Sequence, residues 1–128
     1  ETDMTIFFRK LAKLSKPKID LIQDSFYDFE KIPIMQWNQW LTKYLSLTSH
    51  NRSNEMNSVN PKYVLRNWMA QLAIEQAEKG DFSLVIKLHE LLKKPYDEQS
   101  NEDAKKWFVK RPEWAKNKPG CSMLSCSS

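Results

Sequence analysis

Apolar residues recur with a helical period along most of this chain, and the clearest run is Asn60 to Pro95. Val64, Leu65, Trp68, Met69, Leu72, Ala73 and Ala77 keep the three/four spacing of a buried helical stripe. Asn60 suits an N-cap, since its side-chain oxygen can accept from a free first-turn amide, and Pro61 suits the first helical position. Gly80 fits the left-handed position just past a helix end, and Asp81 can cap a second helix. That second helix carries Phe82, Val85, Ile86, Leu88, Leu91 and Leu92, and Pro95 stops it. Two helices joined through so short a turn fold back as an antiparallel αα-hairpin.

The flanking segments are read by the same period. Asp3 caps a helix with apolar positions Ile6, Phe7, Leu11 and Leu14, closed by Lys16-Pro17. Ile19 to Phe29 reads as a helix or an irregular apolar segment, with helix preferred. Pro33 opens a helix whose broad buried face is Trp37, Trp40, Leu41, Tyr44, Leu45 and Leu47. Ser49 to Ser58 is a polar connector, either a loop or a short helix. A short amphipathic helix runs from about Glu102 to Phe108, and Ser122 to Ser128 has no periodicity. The expectation is an all-α fold of roughly five to seven helices around the central hairpin, with an irregular C-terminal tail. Residues 1–120 are expected as one helical domain of a longer protein, and residues 121–128 as a flexible cysteine-containing tail. No segment repeats another at a fixed period.

Composition narrows the chemistry. With 41% hydrophobic residues, 128 residues suffice for a real core without metals or disulfides. Two glycines, at 80 and 120, exclude glycine-rich phosphate loops and disfavour many-hairpin β architectures. The net charge of +4 reads as a solvated mixed-charge surface. A nucleic-acid face would need basic residues gathered on one element. The densest groups, Lys13/Lys16/Lys18 and Lys105/Lys106/Lys110/Arg111, are interrupted by apolar residues, so no nucleic-acid partner is expected. No apolar run is long enough to span a bilayer, and no secretory leader opens the chain, so no membrane partner is expected either. The missing initiator Met suggests a cut piece of a longer protein or a processed product.

Candidate reactive residues are few. His50 and His89 read as surface histidines rather than general bases, because neither has a recognisable partner. Asp97-Glu98 and Glu102-Asp103 read as loop and cap residues rather than metal ligands. Trp37, Trp40 and Trp68 read as core residues. Trp107 and Trp114 read as packing against another domain, or as stacking platforms for bases. Arg66-Asn67 has a structural reading: an exposed Arg66 would bridge to a partner carboxylate or phosphate, and a buried one would need a fixed acidic partner. No residue is assigned a catalytic, cofactor-binding or metal-binding role. Cys121 and Cys126 cluster near the end, as in a reduced protein with an exposed thiol tail. Cys126, in Ser125-Cys126-Ser127-Ser128, is either an untuned thiol or one placed to exchange with another cysteine.

Four stretches together carry a family likeness: DMTIFFRKL from Asp3, NPKYVLRNWMAQLAIEQAEKGDFS from Asn60 with the following L..LL..PY, RPEWA from Arg111, and the terminal SCSS. The chain resembles the C-terminal region of the selenoprotein O (SelO, YdiU-like) family, in a cysteine-containing form. The resemblance implies a longer parent with a kinase-like fold, a pseudokinase that binds ATP in a flipped orientation with Mg²⁺. It transfers AMP to Ser, Thr or Tyr hydroxyls of proteins. The ATP- and Mg²⁺-binding residues of that family lie upstream of this chain. The fragment is therefore expected to be non-catalytic on its own, with the kinase-like domain and the protein substrates of the parent as partners. The resemblance further implies a redox-regulatory role for Cys126, by pairing with an upstream cysteine. It implies a cytoplasmic location in a bacterium, which is preferred, or a mitochondrial one in a eukaryote. The alternative from the residues alone is an independent helical module that binds a peptide or helix in a groove of the hairpin.

Overall fold

The computed structural model describes residues 1–49 and 52–121. Among them the fold is all-α, with six α-helices and three short 3-10 segments. The helices are α1 (Met4–Lys13), α2 (Ile34–Leu47), α3 (Arg52–Val59), α4 (Asn67–Ala77), α5 (Ser83–Leu92) and α6 (Glu102–Lys105). Extended pairing includes an isolated bridge, Thr2 with Phe26. The chain divides into two compact units, Glu1–Lys62 and the part beginning at Tyr63.

In the first unit, Asp3 caps α1 as its sequence predicts, its carboxylate accepting from the Ile6 amide at 3.1 Å. The core joins Phe7, Leu11 and Leu14 to Ile19, Ile22, Phe26 and Leu41. Rings meet there edge to face: Phe7–Phe26 at 6.0 Å, Phe7–Trp37 at 5.8 Å and Phe26–Trp37 at 5.5 Å. The segment preferred as a helix, Ile19 to Phe29, is instead two 3-10 pieces, Ile19–Ser25 and Phe29–Lys31, with Ile22 off helical geometry. Competing partners explain this. The Ile19 amide donates to Asn38 Oδ1 at 2.8 Å. The Asp3 amide donates to the Ser25 carbonyl at 2.7 Å and the Tyr27 amide to the Glu1 carbonyl at 3.0 Å. Those bonds hold Phe26 extended beside the N-terminus.

Two sequence expectations change in this unit. Asn60 does not open a helix. Its amide nitrogens both donate to the Met56 carbonyl, closing α3, at 2.9 Å from the backbone and 2.7 Å from the side chain. The broad buried face of α2 reduces to Leu41, with Trp40 44% and Leu47 77% exposed.

In the second unit the hairpin is present but shorter at its start. Pro61 to Arg66 are non-helical, and α4 begins at Asn67. Tyr63 sets this start: it is 1% exposed, its amide donates to the Pro95 carbonyl at 3.1 Å, and its hydroxyl donates to the Glu98 carbonyl at 3.1 Å. Val64 and Leu65 consequently leave the buried stripe and are exposed. The turn matches the sequence reading. Gly80 has φ +85°, its amide donates to the Ala77 carbonyl, and the Asp81 amide reaches back to the Gln76 carbonyl. Asp81 accepts from the Ser83 amide at 2.9 Å, so it satisfies the first amide of α5 from one position ahead of the cap residue Phe82. The buried face of α5 is Leu84, Leu88 and Leu91; Leu88 and Leu91 match the expected stripe, whereas Phe82, Val85 and Ile86 point outward and Leu84 takes their place. Asn101 caps α6 by accepting from the Ala104 amide at 2.7 Å.

Candidate functional site

The reactive residues of the chain are placed apart rather than gathered. His89 is exposed on α5, its Nδ1 3.7 Å from the Glu90 carboxylate, beyond hydrogen-bond reach. Glu102 and Asp103 lie on the exposed first turn of α6 and pair with Lys105 at 2.5 Å and Lys106 at 2.7 Å. The Lys106 ammonium holds Asp103 below the usual carboxylate range. Among the described residues no group of three His, Cys, Asp or Glu could hold a metal ion. His50 and Cys126 lie outside the described residues. Arg66 precedes α4 as its cap residue, without a capping bond from its side chain.

The tryptophans separate into two classes. Trp68 is buried and stacks on Trp107 with centroids 5.8 Å apart, so Trp107 packs within its own unit rather than waiting for another domain. Trp114 is 47% exposed, with the Lys118 ammonium 5.3 Å above its ring.

Two structured regions have polar groups organised around a surface. The first is an open cleft of about 560 Å³ in the first unit, lined by Leu14, Ser15, Leu45, Thr48, Arg52 and Ser53 among others. Arg52 dominates it, but its fork is already committed. One nitrogen donates to Thr48 Oγ1 at 2.8 Å and the other to the Leu14 carbonyl, while the guanidinium lies 5.7 Å from the Tyr44 ring centre. It closes the end of α1 rather than offering an anion site.

The second region is the segment that leads to the C-terminus. Ala115 is fully buried, and Cys121 is 6% exposed in the core with Trp68, Met69 and Leu91. Cys121 is thus a core residue and not an exposed thiol, which corrects the sequence expectation. Lys118 bonds to Glu75 of α4, and Gln71 donates to the same carboxylate at 3.0 Å. Lys118 first and Gln71 second hold Glu75 below its ordinary range. Gly120, at φ +80°, lets the chain turn beside Gln71, whose Oε1 would lie 2.8 Å from an added Cβ.

Sequence reasoning missed four organising side chains. Arg9 is 4% exposed and donates to the carbonyls of Asn57 at 3.2 Å and Asn60 at 3.1 Å. The only signal was a charge three residues after Ile6, at helical spacing from an apolar position. Gln99, at φ +41°, donates from its amide to the carbonyls of Leu91 at 2.9 Å and Lys94 at 2.7 Å, closing α5. Glu75 and Lys118 are separated by 43 residues, and no local pattern marks that pair.

No family model and no solved structure matches the chain. Its similarity to curated proteins is extensive. It is 51% identical to the protein nucleotidyltransferase YdiU of Flavobacterium johnsoniae over 142 aligned positions, covering all of this chain and 27% of that protein. YdiU proteins of Aromatoleum aromaticum and Tolumonas auensis are 46% and 45% identical over 138 positions, again across the whole chain and 26% of each relative. The chain thus spans about a quarter of the length of the curated relatives it matches, at their C-terminal end. Identity at this level along its entire length makes this chain a member of the YdiU (selenoprotein O) family, matching the C-terminal part of its members.

Proposed function

We propose that this chain is the non-catalytic C-terminal helical part of a protein adenylyltransferase. The parent would transfer AMP from ATP, with Mg²⁺, to Ser, Thr or Tyr hydroxyls of other proteins. ATP and Mg²⁺ would be held by a kinase-like pseudokinase region upstream, which the helical part supports. The observation that carries this reading is the whole-length match to a quarter of proteins named nucleotidyltransferases.

Cys126 would act as the redox handle. In the oxidised state its thiol and an upstream cysteine would form a disulfide by exchange with a small-molecule disulfide, which is reduced to two thiols. The location proposed is the bacterial cytoplasm; among the described residues no helix is long and apolar enough to cross a membrane. The test is AMP transfer from labelled ATP by the full-length parent, wild type and Cys126→Ser, in reduced and oxidised glutathione. The expected result is a redox response in the wild type alone. Equal responses would remove the regulatory role, and absence of AMP transfer under all conditions would remove the catalytic reading.

A further inference from the structure

Helix α2 carries more apolar surface than its own unit covers. Eight of its fourteen residues are Ile, Met, Leu, Trp or Tyr, yet only Leu41 is buried. A helix with so wide an apolar face belongs inside a larger protein core. The uncovered part is ordered. Trp40 and Leu47 are exposed, and between them on the same side, at i, i+4 and i+7, lies Tyr44, half-buried against the core beside Met56 and Arg52. Trp40 and Tyr44 stack with centroids 5.1 Å apart and planes inclined by 12°. Trp40 also meets Trp37 at 5.7 Å, and Trp37 meets Phe26 of the core at 5.5 Å. A continuous row of rings therefore runs from the interior to a surface ending on Leu47, which is 77% exposed. The far side, with Gln39, Thr42 and Ser46, is polar and exposed, and Lys43 borders the ledge beside Leu47.

We infer that the ledge of Trp40, Tyr44 and Leu47 is the seat on which the preceding part of the parent chain docks. This rests on the reading of the chain as one part of a longer nucleotidyltransferase. The occupant follows from the length of its relatives: about three quarters of each lies outside the match and is joined to it covalently. An attached domain meets the ledge at far higher effective concentration than a separate partner. Fixed aromatic rings beside an aliphatic side chain suit a dry interface, because they lose little side-chain entropy when covered.

The test uses the full-length protein with a benzophenone amino acid in place of Leu47, and the same residue in place of Thr42 on the polar side. After irradiation, linked peptides are identified by mass spectrometry. The expected link from position 47 is to a peptide preceding Glu1, at least fivefold more abundant than from position 42. A link to residues 63–121, to a second copy or to another protein would overturn the inference, as would equal yields from both positions. A smaller probe guards against a bulky residue that prevents docking. Leu47→Cys in the full-length protein should react with a maleimide at least tenfold more slowly than Thr42→Cys, and equal rates would overturn the inference. Neither readout requires AMP transfer, so a docked but inactive protein would count against the enzymatic reading alone.

Discussion

In residues 1–62 the interior is built from rings meeting at their edges, whereas in the unit from Tyr63 the hairpin core is chiefly the aliphatic stripe of α5 set against Trp68, Met69 and Ala73. The first unit also draws on segments far apart in sequence. Phe26 packs on Phe7 and Trp37, and Arg9 bonds to carbonyls 48 and 51 residues away. The hairpin relies on neighbours, with caps and turn bonds spanning two to five residues. The contrast is between a fold specified by ring geometry and one specified by helical period. Substitutions can expose it.

The largest effect is expected at Phe26. Phe26→Ala removes the ring shared by Phe7 and Trp37 and should destabilise the chain by about 4 kcal/mol in urea unfolding. Leu88→Ala, which empties one position of the α5 stripe, should cost about 3 kcal/mol. An equal or larger loss at Leu88 would contradict the primacy of the aromatic core. Arg9→Met leaves two carbonyls without their donor and should cost about 2 to 3 kcal/mol, measured in the same way.

The two glycines test the turns. Gly80→Ala meets open space and should lose about 1 kcal/mol from left-handed strain alone. Gly120→Ala carries the same strain and must also move Gln71 away from Glu75, so its melting temperature should fall further.

The smallest effect belongs to Asp81. The Ser83 amide holds its carboxyl below the ordinary value of 3.8. A depressed folded pKa gives stability that is full above the unfolded value and is lost as the pH falls through the folded one. Asp81→Asn should therefore be slightly less stable than wild type above about pH 4, with the gap closing in more acidic urea titrations. A gap that stayed constant with pH would assign the cap to geometry alone.

The same contrast explains what could be read in the sequence. The turn at Gly80-Asp81 and the cap at Asp3 were legible because each depends on residues within five positions. The start of α4 was not. Asn60-Pro61 has the local form of a helix opening, but Asn60 is used by Met56 behind it, and Tyr63 is drawn to Pro95 and Glu98 ahead of it. The stripe of α5 was read correctly at Leu88 and Leu91 but not in its first turn, where Phe82, Val85 and Ile86 are apolar yet exposed and Leu84 is buried. Ile19 to Phe29 lost its helix to backbone pairing with residues 1–3, which no periodicity announces. Of the reactive residues, Cys121 was placed wrongly because its burial depends on Lys118 and Gly120 returning the chain to α4. The family likeness, by contrast, was legible from short motifs alone.

Arg9 has a further consequence in the order of folding. Its bonds to Asn57 and Asn60 can form only after the intervening chain has closed a loop of about fifty residues. Closing such a loop costs entropy before any contact repays it. The α4–α5 turn needs no such closure and can nucleate early. Stopped-flow kinetics should then find that Arg9→Met speeds unfolding and leaves the folding rate nearly unchanged, as for a contact made after the rate-limiting step. The buried guanidinium would act as a late fastening, setting how long the first unit persists once formed.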